Sequence, residues 1–362
     1  MNQPQQFETK SISSVVLKNR RVNSFDKLST AEEIEKELRI SEKAKNTVMS
    51  GRREVEAVIS GEDDRLMVIV GPCSIHDPKE AIEYAERLRS LQQQYASRLL
   101  IVMRVYFEKP RTTVGWKGLI SSPHLIGSAD FETGLRTARQ LMININELGL
   151  CVATEFLDPL TPPYYSDLVS WGAIGARTTE SQIHREMASG LSCSIGFKNG
   201  TQEGEGDVAI NAMVAARSEH SFLGINDKGQ CGIVHTNGNS STQLILRGSS
   251  AGPNYDVESV GRAEQALRQR GLSTRMIVDC SHDNAEKDFR NQEKVLNYVL
   301  KYRQQSGYPV YGVMIESNLE DGNQKLNTAE DLKKLKPGVS ITDGCAGWKK
   351  TTKLLKNAYE LA

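Results

Sequence analysis

The chain has 362 residues, is 38% hydrophobic and 25% charged, and balances 45 basic against 45 acidic side chains. Zero formal net charge excludes a general nucleic-acid binder, which needs a basic excess. No apolar run approaches the ~20 residues of a membrane helix, and MNQPQQFETK at the N-terminus lacks the apolar core of a signal peptide.

Residues 1–65 are polar and charged and read as an N-terminal extension outside the core. Helices are predicted near Ser29 to Arg39, capped by Ser29 or Thr30, and from about Ser41 to Ser60. From Leu66 onward the pattern changes to apolar run, loop and amphipathic helix, repeated. Runs rich in branched residues, as buried parallel strands should be, lie at 66–74, 99–107, 151–157, 171–177, 193–198, 243–248, 275–282 and 311–317. KEAIEYAERLRSLQQQ, FETGLRTARQLMININELG and SVGRAEQALRQRG are among the helical stretches between them. Eight such units predict an α/β fold, a (β/α)8 TIM barrel spanning 66–362. The competing open sheet would carry a GxGxxG turn after its first strand, and none is placed there. Between the fifth and sixth strands, residues 220–238 predict an inserted β-hairpin turning at Asp227-Lys228-Gly229.

In such a barrel the C-terminal strand ends build the active site. The eight runs end near Cys73, Arg104, Glu155, Arg177, Lys198, Arg247, His282 and Glu316. Any one of these has an ordinary structural explanation. A ring of them at one mouth is costly unless a ligand or ion satisfies the charges. The cations Arg104, Lys109, Arg111, Arg177, Lys198 and Arg247 suit a highly anionic substrate, or two phosphorylated ones. Cys73, His282, Glu316 and Asp343 form a mixed S/N/O set, which suits one divalent Mn, Fe, Co or Zn better than Ca or Mg. The six cysteines (Cys73, Cys151, Cys193, Cys231, Cys280 and Cys345) include no CxxC pair, which fits a reduced, cytoplasmic protein.

Read in order, these segments resemble the type I 3-deoxy-D-arabino-heptulosonate 7-phosphate (DAHP) synthases. The matching strings include GPCSIHDP at 71–78, RVYFEKPRTTVGWKGLI at 104–120 and SWGAIGARTTESQIHREMASGLSC at 170–193. GFKNGT at 196–201, ILRG at 245–248, GPNY at 252–255, DCSH at 279–282, MIESNL at 314–319 and ITDGCAGW at 341–348 complete them. The resemblance implies condensation of phosphoenolpyruvate with erythrose 4-phosphate on one divalent metal per subunit, held by Cys73, His282, Glu316 and Asp343. It implies that Arg104, Arg177, Lys198 and Arg247 hold phosphoenolpyruvate, with Glu155 and Ala176 nearby. Lys109, Pro110, Arg111 and Thr112 would form the erythrose 4-phosphate site. Lys109, Glu155, Lys198 and His282 are the expected catalytic groups.

The resemblance also implies a homodimer or homotetramer, with residues 1–65 serving regulation or assembly. An aromatic amino acid would inhibit from a cavity around Pro162, Pro163, Ser192, Phe222 and Gly224, and Gly224 favours tyrosine over phenylalanine. Neither a nucleic acid nor a membrane is an expected partner. Two departures stand out: Asp283 where the family usually has Gly, and Ser194 where Pro is common. A carboxylate beside His282 is expected to alter metal affinity. Three readings compete: a Schiff-base aldolase using Lys198, the related enzyme that uses arabinose 5-phosphate, and an inactive phosphosugar-binding module.

Overall fold

A computed structural model describes residues 5–6, 19–110, 115–202, 206–305 and 307–362. The short pair β1 (Gln5–Gln6) and β2 (Ser24–Phe25) precedes the helices α1 (Ala31–Glu37) and α2 (Glu42–Ser60). Thr30 caps α1 in a reciprocal box with Glu33, and the Ser41 hydroxyl caps α2 by accepting from the Ala44 N–H. Both helices lie where the sequence puts them.

The apolar runs then become parallel strands: β3 (Leu66–Gly71), β4 (Leu99–Arg104), β5 (Cys151–Glu155), β6 (Trp171–Ile174) and β7 (Ser194–Lys198). Next come the hairpin strands β8 (His220–Ile225) and β9 (Cys231–Thr236), then β10 (Thr242–Leu246), β11 (Met276–Asp279) and β12 (Val310–Glu316). The barrel closes in the order β10-β11-β12-β3-β4-β5-β6-β7, and β8–β9 stand apart as a two-stranded sheet. Between and after the barrel strands run α3 (Pro78–Tyr95), α4 (Phe131–Glu147), α5 (Pro162–Tyr165), α6 (Gln182–Gly190), α7 (Asp207–Ala216), α8 (Val257–Gln269), α9 (Gln292–Arg303), α10 (Ala329–Leu332) and α11 (Trp348–Leu361). Among the described residues no helix is long and apolar enough to cross a membrane.

Most barrel strands end one to three residues before the apolar runs do, and at three of them the local reason is plain. After Gly71, Pro72 has no N–H to continue the ladder. After Ile174, the N–H groups of Thr178 and Thr179 fold back onto the Gly175 carbonyl. After Asp279, its own carboxylate accepts from the Ser281 N–H and closes a turn.

Strand alternation sorts the core. Leu66, Val68 and Val70 face the helices, whereas Met67 and Ile69 belong to the inner cluster with Leu100, Val102, Trp171, Ile245 and Ile277. Val55, Val58 and Ile59 of α2 join that inner cluster, so α2 is not outside the core. It crosses the strand starts, where Gly51 comes so close that a Cβ there would sit 2.3 Å from the Cys151 sulfur. An amphipathic helix must bury its stripe, and the open apolar floor of a barrel offers the surface. Each fully buried aliphatic side chain contributes about 1.5–3 kcal/mol.

The inserted hairpin pairs His220 with Thr236 through Ile225 with Cys231 and turns at Asp227–Gly229, as expected. Thr236 bonds Ser189 of α6 at 2.6 Å, and the Glu32 N–H of α1 donates to the Asp227 carbonyl at 2.8 Å. Hairpin and extension are thus tied together.

Candidate active site

The inward positions of the strands change from apolar to charged at their C-terminal ends. Val102 is followed by Arg104, Ala153 by Glu155, Gly196 by Lys198, Ile277 by Asp279 and Met314 by Glu316. Arg247 lies one residue past β10 on the same alternation from Ile245. A cavity of about 770 Å³ opens over this layer, and its wall includes Lys109, Pro110, Ala176, Arg177, Lys198, Arg247, His282, Glu316 and Asp343. Arg104 and Cys73 are fully buried behind that wall.

The Cys73 sulfur and one carboxylate oxygen each of Glu316 and Asp343 lie within 4.8 Å of one another. Cys73 Sγ is 3.5 Å from Asp343 Oδ2, and Lys109 Nζ donates to that sulfur at 3.1 Å and to the Cys73 carbonyl at 3.2 Å. Burial, then the Glu316 charge, pushes the Cys73 thiol up to about 12 against the pull of Lys109. Burial opposes ionisation of Asp343, yet Lys109 and His282 hold its carboxyl below the usual range. One sulfur and two carboxylates gathered this closely are a donor set that fits a soft-to-borderline dication, whose binding would displace the thiol proton.

His282 stands beside this group but not within it. Its Nδ1 is 2.8 Å from Asp279 Oδ2 and 2.9 Å from Ser281 Oγ, which leaves Nε2 facing Glu316 Oε1 at 3.7 Å. Three of the four expected ligands therefore gather; the ring of the fourth leans on Asp279.

The cations converge with less uniformity. Arg104 donates to Glu316 Oε1 at 3.1 Å and to the Pro72 carbonyl at 3.4 Å, and its guanidinium lies 4.0 Å over the Tyr106 ring. Lys198 Nζ donates to Asp279 Oδ2 at 3.0 Å. Arg177 is not at a strand end: it sits three residues past β6, exposed, and donates to the Pro110 carbonyl at 3.2 Å. Arg111 and Thr112 lie outside the described residues. Asp283, expected to bear on the metal, instead pairs with Arg247, and also with Lys287 at 3.5 Å.

Glu155 is buried against Gly175, where a Cβ would fall 2.3 Å from its Oε1. Gly175→Ala is therefore expected to push the Glu155 carboxylate aside. Turnover should fall about tenfold or more, while the melting temperature shifts only a few degrees. Steady-state rates and thermal melts of the purified variant check this.

Asp279 is the residue that sequence reasoning passed over. Fully buried, it accepts from the Ser281 N–H and hydroxyl through Oδ1 and from Lys198 through Oδ2, which also faces His282. Burial resists its charge, but His282 and Lys198 hold its carboxyl well below the usual range. Inward alternation from Ile277 was the available signal. Glu108 was also missed. Its buried carboxylate accepts from Thr161 and Tyr165 at 3.2 Å, next to Lys109, and burial, then Asp158, raises it to about 7.

Of the expected effector residues, Pro162 and Pro163 open α5, Ser192 lies between α6 and β7, and Phe222 and Gly224 lie on β8. None lines the cavity over the strand ends. A Cβ at Gly224 would meet Val234 at 2.8 Å, so this glycine has a packing reason of its own. Tyr164 of α5 donates to the Ser29 carbonyl at 2.8 Å and joins this region to the extension.

The DAHP synthetase I family matches residues 37–356. The Tyr-sensitive phospho-2-dehydro-3-deoxyheptonate aldolase of Escherichia coli K12 is 46% identical over 344 residues, 95% of this chain and 96% of the relative. The Phe-sensitive form from the same organism is 50% identical over 316 residues, 87% and 89% of the two chains. A solved phospho-2-dehydro-3-deoxyheptonate aldolase from Francisella tularensis SCHU S4 superposes with a TM-score of 0.90 at 44% identity, covering 93% of this chain and 97% of the other.

Proposed function

The chain belongs to the DAHP synthetase I family, and from that premise we propose how its barrel mouth performs the reaction. The protein is a 3-deoxy-7-phosphoheptulonate synthase. It condenses phosphoenolpyruvate with D-erythrose 4-phosphate and water to DAHP and phosphate, the first step of aromatic amino-acid synthesis. The observation that carries this reading is one cavity where the Cys73–Glu316–Asp343 group adjoins Lys109, Lys198 and Arg247.

Cys73, Glu316 and Asp343, with His282 beside Glu316, would hold one divalent ion: Mn, Fe, Co or Zn. When bound, that ion supplies Lewis-acid polarisation of the aldehyde. Arg104, Arg177, Lys198 and Arg247 bind the phosphate and carboxylate of phosphoenolpyruvate, with the Ala176 backbone alongside. Lys109, Pro110, Arg111 and Thr112 take erythrose 4-phosphate, and Arg111 and Thr112 receive its phosphate. The cations hold two anions together against their repulsion, so that C3 of phosphoenolpyruvate attacks the aldehyde carbon. Water adds at C2, oriented by Lys198 and Glu155, and the hemiketal phosphate loses inorganic phosphate by C–O cleavage.

Lys198 as a Schiff-base nucleophile is disfavoured, because its ammonium already donates to the buried Asp279 at 3.0 Å. Six free cysteines suit a reducing cytoplasm. Leu223 and Ile233, paired across the hairpin, are 81% and 65% exposed, which suits assembly into a homodimer or homotetramer. The extension, α5 and the hairpin take an aromatic amino-acid inhibitor, tyrosine ahead of phenylalanine.

Phosphate release from phosphoenolpyruvate should be rapid with erythrose 4-phosphate and about a hundredfold slower with arabinose 5-phosphate. Added tyrosine should inhibit it more than phenylalanine. Equal rates with both aldoses would defeat the substrate assignment, and inhibition by phenylalanine alone would defeat the effector assignment.

A further inference from the structure

Arg247 lines the cavity wall, and Asp283 does not. The carboxylate of Asp283 instead meets Arg247 Nη1, and the same nitrogen also donates to the Gly248 carbonyl at 3.4 Å. Both side chains are nearly buried, 8% exposed for Arg247 and 15% for Asp283. Their two segments are built to touch. His282 takes a φ of +54°, and Asn284 donates its N–H to the Arg247 carbonyl at 3.2 Å. Gly248, at φ +74°, leaves no room for a Cβ, which would lie 2.6 Å from the Asn284 nitrogen and 2.9 Å from the Asp283 Cβ. Lys287 faces the other carboxylate oxygen at 3.5 Å from an exposed position.

We infer that Asp283 is a positioning residue: it pins Arg247 through one nitrogen so that the rest of the guanidinium is presented to the anion of phosphoenolpyruvate. A guanidinium has five N–H donors in a fixed plane, and anchoring one edge sets the direction of the other. Preorganisation of this kind lowers the cost of ordering a long side chain when the anion binds. The inference rests on the assignment of Arg247 to phosphoenolpyruvate.

The test uses the metal-loaded full chain and measures equilibrium binding of phosphoenolpyruvate together with the KM for erythrose 4-phosphate. Asp283→Asn should weaken phosphoenolpyruvate binding about tenfold and leave the KM for erythrose 4-phosphate within about twofold. Asp283→Ala should weaken it at least as much. In an Arg247→Ala background, Asp283→Asn should change nothing further. Unchanged or tighter binding by Asp283→Asn would overturn the inference, because Asp283 would then be idle or a competitor for Arg247. So would an equal loss in the Arg247→Ala background, or failure of both Asp283 variants to fold, since either marks a purely structural role. A wild-type protein that binds phosphoenolpyruvate but does not turn it over with erythrose 4-phosphate counts against the proposed reaction instead.

Discussion

Cys73→Ala is expected to remove turnover and divalent-ion binding together, with a rate loss of about a thousandfold or more. The thiol is buried between Asp343 and Lys109, and Glu316 completes the group, so no neighbouring sulfur takes its place within it. Cys345 is near, but its sulfur accepts the Cys73 N–H at 3.4 Å and so is turned towards the backbone. Loss of one sulfur atom should cost only about 1–2 kcal/mol of stability, so a folded, inactive, metal-free protein is the expected product. Metal content, rates and thermal melts measure the three quantities. Burial and Glu316 push the thiol up to about 12, so an ion bound through the proposed Cys73 ligand would displace its proton. Affinity for the ion should therefore rise with pH across the neutral range.

Asp279→Asn should cost about two orders of magnitude in turnover and about 3 kcal/mol in stability. One carboxylate oxygen serves both Lys198 and His282, the proposed phosphoenolpyruvate cation and the proposed neighbour of the ion. An amide presents either a poorer acceptor to Lys198 or an N–H towards the imidazole. The pH dependence has a definite sign. The native carboxyl is held well below its unfolded value, so the native state binds fewer protons. That contribution is complete above about pH 4 and is lost as pH falls through the native value. The stability difference between wild type and Asp279→Asn should therefore shrink as the medium is acidified below about pH 4. Urea melts at neutral pH and near pH 3 measure it.

Much of the barrel was legible because its signal is local. Branched runs recur between amphipathic helices, and the period of two carries Arg104, Glu155, Lys198 and Glu316 to one mouth. What the sequence concealed depends on long-range contact. The stripe of α2 announces an amphipathic helix but not that Val55 and Val58 close the barrel floor. DCSH at 279–282 offers its histidine as the obvious ligand, yet it is Asp279 that decides where the ring leans. Asp283 looked like an added charge for the metal because it follows His282. A positive φ at His282 sends it to Arg247 instead. Arg177 reads as a strand end because GAR continues an apolar run, and only the turn closed on Gly175 shows otherwise.

The most direct measurement titrates chelated, metal-free protein with Co²⁺ and follows the near-ultraviolet sulfur-to-metal band alongside DAHP formation. Both should rise together and saturate at about one ion per chain, and Cys73→Ser should show neither. Full turnover by the metal-free protein, or saturation without a sulfur band, would contradict a shared ion at Cys73, Glu316 and Asp343.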